Sequence, residues 1–192
     1  PLRRADNSLF KTYRLAMACT IEYAAFHVTA AGVGGGTLAQ KKAAVLAAMN
    51  VTMTRVNGLY EKDMSLTMQI IANNESLINI TSDSYDNSNT NFILLDQNQT
   101  QVDNIIGNAN YDIGHVCSTG GGGVATLGCV CTSTTKARGV TGSPAPVGDP
   151  YDIDYVAHEM GHQFGANHTF NSDQGSCGGN VSTSSAYEPG SG

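Results

Sequence analysis

Three histidines and a glutamate lie within eleven residues of one another in the stretch HEMGHQFGANH. His158 and His162 are four residues apart, so on a helix their imidazoles project from one face and can bind one cation together. Gly165 follows where the helix must end, and glycine adopts the positive φ that a helix C-terminus often needs. The spacing therefore predicts a sharp turn that brings His168 back as a third ligand.

Three neutral imidazoles with an open fourth position are typical of a catalytic zinc site, because structural zinc sites are usually closed by four protein ligands. Zinc lowers the pKa of bound water toward ~7, so a nearby carboxylate can accept its proton and the hydroxide can attack a carbonyl. Glu159 follows the first histidine and can reach such a water without ligating the metal. The pattern predicts metal-assisted amide hydrolysis with Glu159 as the general base.

Composition and charge disfavour several other classes of protein. Ten Lys plus Arg against sixteen Asp plus Glu give a net charge of −6, and the basic residues are scattered, so we expect no nucleic-acid partner. No apolar run approaches the ~18–20 residues of a membrane span. Residues 1–10 lack the apolar core of a signal peptide, so we interpret the sequence as a soluble mature segment whose targeting sequence lies upstream or has been removed.

The five cysteines show neither a CxxC pair nor the spacing of a zinc ribbon, which disfavours a thiolate metal site. In an oxidising compartment they could form two disulfides, and the remaining thiol would be free or paired outside this chain. The five are Cys19, Cys117, Cys129, Cys131 and Cys177.

The elements that position the motif alternate between strands and helices. Apolar and alternating patterns predict strands over residues 12–20, 65–72 and 111–119, and two short strands in GGGGVATLGCVC and KARGVTGS. An amphipathic helix is predicted over residues 37–63, with an interruption near Asn57 and Gly58 left open, and a second helix begins near Gln97. Asp149 as N-cap and Pro150 at the first helical position mark the start of the motif's helix. This order predicts an α/β fold with a mixed sheet.

The five fixed positions of HEMGHQFGANH match the HExxHxxGxxH signature, and on them the chain resembles the metzincin zinc endopeptidases. GGGVATLGCVC followed by ARGVTGS is similar to the edge strand, cysteine and next strand of the reprolysin or adamalysin branch, including its secreted bacterial members. Thr169 stands where adamalysins usually carry Asp, so a pappalysin-like chain is the second choice. The resemblance implies a metzincin-type α/β catalytic domain with a twisted, mixed five-stranded sheet, long helices and an active-site helix.

The resemblance also assigns roles to residues. It makes His158, His162 and His168 the zinc ligands and Glu159 the base of a secreted endopeptidase, made as a zymogen, that cleaves proteins or peptides. It makes residues 122–127 an edge strand that pairs antiparallel with the substrate. The residues expected to contact the substrate are Gly122, Gly123, Val124, Ala125 and Thr126. A flexible glycine loop without a binding role is the alternative.

By the same resemblance, residues 1–165 form an N-terminal subdomain that includes the zinc helix, and residues 166–192 begin a C-terminal subdomain truncated before its Met-turn. Met160 is the last methionine, so the methionine beneath the zinc would lie outside this chain. A second chain from the same precursor could then carry it, together with a cysteine partner. The alternative function is an inactive or cleaved metzincin-fold fragment that retains zinc and acts as a binding module.

A polar loop could also supply oxygen ligands to calcium, although its spacing is not that of an EF-hand, and a solvated loop is the alternative. The loop residues are Asp83, Asp86, Asn87 and Asn89. The resemblance places Cys19 and Cys117 on neighbouring strands, where a disulfide and two buried free thiols are both consistent with the sequence. We expect His27 and His115 to be packed or hydrogen-bonded rather than catalytic.

Overall fold

The computed structural model describes residues 9–87 and 92–168, in which a five-stranded sheet is flanked by helices. The strands are β1 (Lys11–Cys19), β2 (Leu66–Ile70), β3 (Ile113–Ser118), β4 (Gly122–Ala125) and β5 (Gly139–Gly142). The long helices are α1 (Ile21–Ala30), α2 (Leu38–Met64) and α3 (Ile93–Ile105), and two short 3₁₀ turns cover Asn74–Leu77 and Asn108–Asn110.

The sheet has the strand order β2-β1-β3-β5-β4. Its first four strands in this order run parallel, whereas β4 runs antiparallel to β5. The predicted α/β fold with a mixed five-stranded sheet is therefore confirmed. Strand β4 forms one edge of the sheet among the described residues, beside the helix that carries the histidines.

The core occupies both faces of the sheet, which explains the unbroken apolar run of β1. Leu15, Met17 and Cys19 belong to the cluster that packs against α1 and α2. The alternate residues Ala16 and Ala18 belong to the second cluster, on the side of α3. A strand covered on both faces is apolar throughout rather than alternating, because neither set of side chains meets water.

Helix α2 begins and ends at recognisable capping signals. Thr37 and Gln40 form a capping box, in which each side chain accepts a hydrogen bond from the backbone N–H of the other. The helix continues without interruption through Asn57 and Gly58 as far as Met64. The Asn57 side chain bonds both the N–H and the C=O of Met68 on β2, at 2.9 Å each, so this poor helix former joins helix and sheet.

Helix α1 was not predicted from the sequence. The Thr20 side chain caps it by accepting a hydrogen bond from the backbone N–H of Tyr23 at 3.4 Å. Its buried residues are Tyr23, Ala24, His27 and Val28. Apolar side chains also occur on its remaining surface, so the 3.6-residue period is weak in the sequence.

The motif lies on what we call the histidine helix, which consists of three consecutive segments. The first, Asp149–Tyr151, is α-helical, the second, Asp152–Ala157, is π-helical, and the third, His158–Gln163, is α-helical. The residue before the first turn is Gly148, with φ 74°, so the N-cap lies one residue earlier than the predicted Asp149.

The histidine helix packs against α2 in its π-helical segment and against β4 and β5 in its last segment. The Thr52 hydroxyl donates to Asp152 Oδ1 at 2.7 Å, and the Tyr60 hydroxyl donates to the Ala157 carbonyl at 2.7 Å.

Within residues 9–87 and 92–168, no helix has both the length and the apolar character needed to cross a membrane.

Candidate metal centre

The structure brings the three histidines of the motif together at one end of the histidine helix. The Nε2 atoms of His158 and His162 are 3.0 Å apart, and His168 Nε2 lies 3.1 and 3.0 Å from them. In the described part of the chain they are the one group of three His, Cys, Asp or Glu side chains whose ligand atoms converge in this way. Three nitrogens therefore form a nearly equilateral triangle.

A sharp turn after the helix returns the third histidine. The backbone N–H of Ala166 donates to the Gly161 carbonyl and that of Gly165 to the His162 carbonyl, at 2.9 Å each. This pair of bonds is a Schellman motif, and Gly165 is its left-handed residue with φ 101°. This positive φ explains why a glycine stands here, three residues before His168.

A hydrogen bond fixes which nitrogen of His162 faces the other two rings. His162 Nδ1 lies 2.7 Å from the Ala166 carbonyl oxygen, so Nδ1 carries the proton and Nε2 carries the lone pair. Orientation of a ligand imidazole by a carbonyl is common at metal sites. Partial burial and the two neighbouring imidazoles lower the pKa of His158, which favours the neutral form that binds a metal. The role of the Ala166 carbonyl in orienting His162 could not be predicted from the sequence, because any residue has a backbone carbonyl.

The three imidazoles fit a zinc ion. Tetrahedral zinc bound at about 2.0–2.1 Å implies nitrogen–nitrogen edges of about 3.3–3.4 Å. The observed edges of 3.0–3.1 Å are close to this value. Lone pairs at this separation repel one another, and a shared cation removes that repulsion. A nitrogen-only set suits zinc rather than calcium or magnesium, which prefer oxygen.

Glu159 lies beside the triad with a buried carboxylate. Its side chain is 6 % exposed, and its Oε2 atom has no hydrogen-bond partner among the described residues. Desolvation raises the pKa of Glu159 to about 7, against the opposing effect of His162. A carboxyl group with such a pKa can both accept and return a proton near neutral pH.

The histidines and Glu159 open onto a cleft of about 350 Å³ bordered by β4. Its lining residues are Gly123, Val124, Ala125, Leu127, His158, Glu159, His162, Asn167 and His168. Of the five residues predicted to contact substrate, three line this cleft. Gly122 and Thr126 do not, and the Thr126 N–H donates to the Arg138 carbonyl instead.

A comparison with protein families agrees with this arrangement. The family model described as metallo-peptidase family M12B, reprolysin-like, matches residues 46–169. The chain belongs to this family. The reprolysin-like resemblance is thereby confirmed, whereas the pappalysin-like alternative is not. Membership implies zinc as the metal of the histidine triad, and protein or peptide as the substrate. No curated protein matches the chain.

This reprolysin-like chain has a buried polar network next to the histidine triad, which was not predicted from the sequence. His115 is fully buried, with Nδ1 2.9 Å from Gln163 Oε1 and Nε2 2.9 Å from Thr141 Oγ1. Gln163 also donates to the Gly114 carbonyl at 2.9 Å. The network joins the last turn of the histidine helix to β3 and β5. His115 is thus hydrogen-bonded, as expected for a histidine outside the catalytic site.

The calcium prediction receives no support from the polar loop. Asp83 accepts hydrogen bonds from the Ile21 and Tyr85 N–H groups, at 2.7 and 3.2 Å. The Asn87 side-chain oxygen is bonded to the Thr20 hydroxyl and to the Thr119 N–H, at 3.0 and 3.1 Å. These side-chain oxygens accept hydrogen bonds from the protein itself, and Asp83 accepts one from the first residue of α1. Asn89 lies outside the described residues.

The four cysteines in the described residues are free thiols, so the predicted disulfides are not seen among them. Cys19 and Cys117 are register partners on β1 and β3, as the resemblance implied, and both are buried. Burial raises the pKa of the Cys117 thiol to about 12, which disfavours a reactive thiolate. Cys177, the Met-turn prediction and nearly all of residues 166–192 lie outside the described part of the chain.

Proposed function

We propose that this chain is a zinc-dependent endopeptidase that hydrolyses peptide bonds in proteins, with Glu159 as the general base. The observation that supports it best is a buried carboxylate, with no partner for one oxygen among the described residues, next to three converging histidines in an open cleft. A zinc-retaining binding module has no need of such a group. A secreted location and synthesis as a zymogen stay predictions from the family resemblance.

The proposed reaction divides between the metal and the protein. When bound to His158, His162 and His168, zinc supplies Lewis acidity that polarises a carbonyl and lowers the pKa of water. Glu159 accepts the proton from the attacking water and delivers it to the leaving amine nitrogen as the carbon–nitrogen bond breaks. In the metal-free protein, burial raises the pKa of Glu159 to about 7, close to the pKa of about 7 of water bound to zinc.

Strand β4 is the proposed recognition surface. It lies at the sheet edge and borders the same cleft as Glu159, so an extended peptide can add to it as a further strand. Gly123 and Ala125 present little side-chain volume there, which leaves the backbone accessible. We infer that affinity comes mainly from backbone hydrogen bonds along this edge.

The test is Glu159→Ala in the zinc-loaded protein. We expect hydrolysis of a generic peptide substrate to fall by at least about 10³-fold, a loss in the range of catalytic-base removal, while the zinc content stays unchanged. Glu61→Ala, an exposed glutamate on α2, is the matched control and should retain activity. A chelator should abolish wild-type hydrolysis and added zinc should restore it. Full activity of Glu159→Ala, or activity insensitive to chelation, would refute the proposal.

A further inference from the structure

Strand β4 carries a glycine at the point where it meets Glu159. A Cβ atom at Gly123 would lie 2.5 Å from Glu159 Cγ and 2.7 Å from both Cδ and Oε1. Such separations are shorter than any van der Waals contact between carbon or oxygen atoms. Gly123 does not have a positive φ, so its backbone conformation alone does not require glycine. Glycine is required because the Glu159 side chain occupies the space that a Cβ atom would need.

The next turn of the helix has the same relation to the neighbouring strand. A Cβ atom at Gly139 on β5 would overlap with Gln163 Oε1. Glu159 and Gln163 are four residues apart and therefore share one face of the helix. Gly139 pairs with Ala125, two residues along β4 from Gly123. One helix face is thus seated on two glycines of adjacent strands, and the histidines project from a different part of its surface.

The helix cannot easily move away from β4. Gln163 is held by its bonds to His115 and Gly114, as described above. The N–H groups of Gly128 and Val130 donate to the His162 and Gln163 carbonyls, at 2.9 and 3.2 Å. These contacts fix the turn that follows Glu159.

Strand β4 is held equally well on its other side. It pairs with β5 over all four of its residues, and the hydrogen bond from Thr126 to Arg138 extends the pairing. The Glu159 side chain, in contrast, borders the open cleft. If a methyl group were added at Gly123, the carboxylate would be the part free to move.

We propose that Gly123 is a positioning residue for Glu159: its missing side chain sets where the carboxylate stands beside the three histidines. The inference rests on the proposed function, because it concerns the base of that reaction. Strand β4, which is proposed to bind the substrate, and Glu159, the proposed base, therefore share one packing contact. A larger side chain here would alter proton transfer rather than metal binding.

The experiment compares Gly123→Ala with Gly121→Ala in the zinc-loaded protein. Gly121 is the matched control: it is exposed, it lies two residues away, and no atom of the described residues comes within 4 Å of its Cβ position. We expect Gly123→Ala to lower kcat about 10- to 100-fold, the scale of a displacement of about 1 Å. KM and zinc content should stay within about twofold of wild type, a margin too small for a lost binding contact. Gly121→Ala should match wild type.

Two further measurements identify the contact. In a Glu159→Ala background, Gly123→Ala should cause no additional loss of residual hydrolysis, because the displaced group is gone. A crystal structure of Gly123→Ala should show the Glu159 carboxylate shifted, with β4 and the three histidines in place.

The inference is overturned if kcat of Gly123→Ala stays within about twofold of wild type, if the loss resides in KM, or if the loss persists in the Glu159→Ala background. An unmoved carboxylate in the crystal structure overturns it as well. Failure of the proposed function is separately visible, because Glu159→Ala alone would then retain hydrolysis. The crystal structure decides whether the glycine determines the position of the carboxylate in either case.

Discussion

Glu159 combines two properties that folded proteins usually keep apart, a buried carboxylate and an oxygen without a hydrogen-bond partner in the described chain. Burial of such a group destabilises the folded state. Residues that break local rules in this way are typical of functional sites rather than of the scaffold. The neighbouring His115 is the opposite case, because it is buried with both ring nitrogens bonded.

His115 should make the stability of the protein depend on pH. Desolvation lowers its pKa from 6.5 to about 4, against the opposing bond to Gln163. The unfolded chain therefore binds the proton more tightly, so the stability due to neutral His115 is present above pH 6.5 and is lost as the pH falls toward 4. The loss should be about 3 kcal/mol, at about 1.4 kcal/mol per pKa unit.

Urea unfolding of wild type and His115→Gln between pH 7 and pH 4.5 measures this effect. Desolvation also lowers the pKa of His27 to about 4, which adds to the decline, and raises the pKa of Glu159 to about 7, which opposes it. Both contributions are common to the two proteins, so the variant should lose less stability than wild type as the pH falls. Identical slopes in the two proteins would contradict the assignment to His115. The comparison uses slopes, so a lower stability of the variant at every pH does not affect it.

Among the elements, the histidine helix depends most on its C-terminal turn. Gly165 has φ 101° and ends the helix, and the Ala166 carbonyl that it positions orients His162. We expect Gly165→Ala to cost about 1–2 kcal/mol in the free energy of unfolding, because an L side chain is strained at this φ. Zinc affinity should fall with it, since His168 follows the same turn.

Gly58→Ala provides the control substitution for this prediction. Gly58 is exposed within α2, and a Cβ there would meet no atom within 4 Å. Alanine should therefore stabilise the protein by about 0.5–1 kcal/mol through its higher helix propensity. Urea unfolding of both variants checks the pair. A destabilised Gly58→Ala or a stabilised Gly165→Ala would show that backbone conformation does not govern these positions.

The sequence predicted the elements whose signals are local. The spacing of the histidines and the 3.6-residue period of α2 involve residues within one or two helical turns, so they can be recognised without the fold. The contacts of His115 with Gln163 and of Gly123 with Glu159 join residues far apart in the chain, and they depend on the order of the strands. Helix α1 was missed for a different reason, since apolar side chains occur on more than one of its faces.

At the scale of the whole molecule, metal binding and folding should be coupled. The triad joins the histidine helix to the turn that follows it, and zinc binds this arrangement only when the chain is folded. Zinc at 100 times its Kd should therefore stabilise the metal-free protein by about 2.7 kcal/mol. Its Tm should rise by about 5–10 °C, as expected for a domain of this size.

Thermal unfolding of the metal-free protein, with zinc or with calcium added, tests this coupling. Calcium should leave the Tm nearly unchanged, because imidazole nitrogens bind it poorly and the loop oxygens at Asp83 and Asn87 are already hydrogen-bonded. An equal rise with calcium would contradict both the assignment of the triad to zinc and the account of the loop.

The π-helical segment Asp152–Ala157 is the part of the histidine helix that contacts α2, and the α-helical segment that begins at His158 follows it directly. A π turn holds more residues than an α turn, so it offsets the two ends in rotation. Each α-helical residue corresponds to about 100°. Deleting a single residue here would leave every ligand in the sequence and yet turn the imidazoles out of the cleft. The geometry of the site therefore depends on the number of residues in the π-helical segment. Substitutions at the histidines themselves would not reveal this dependence.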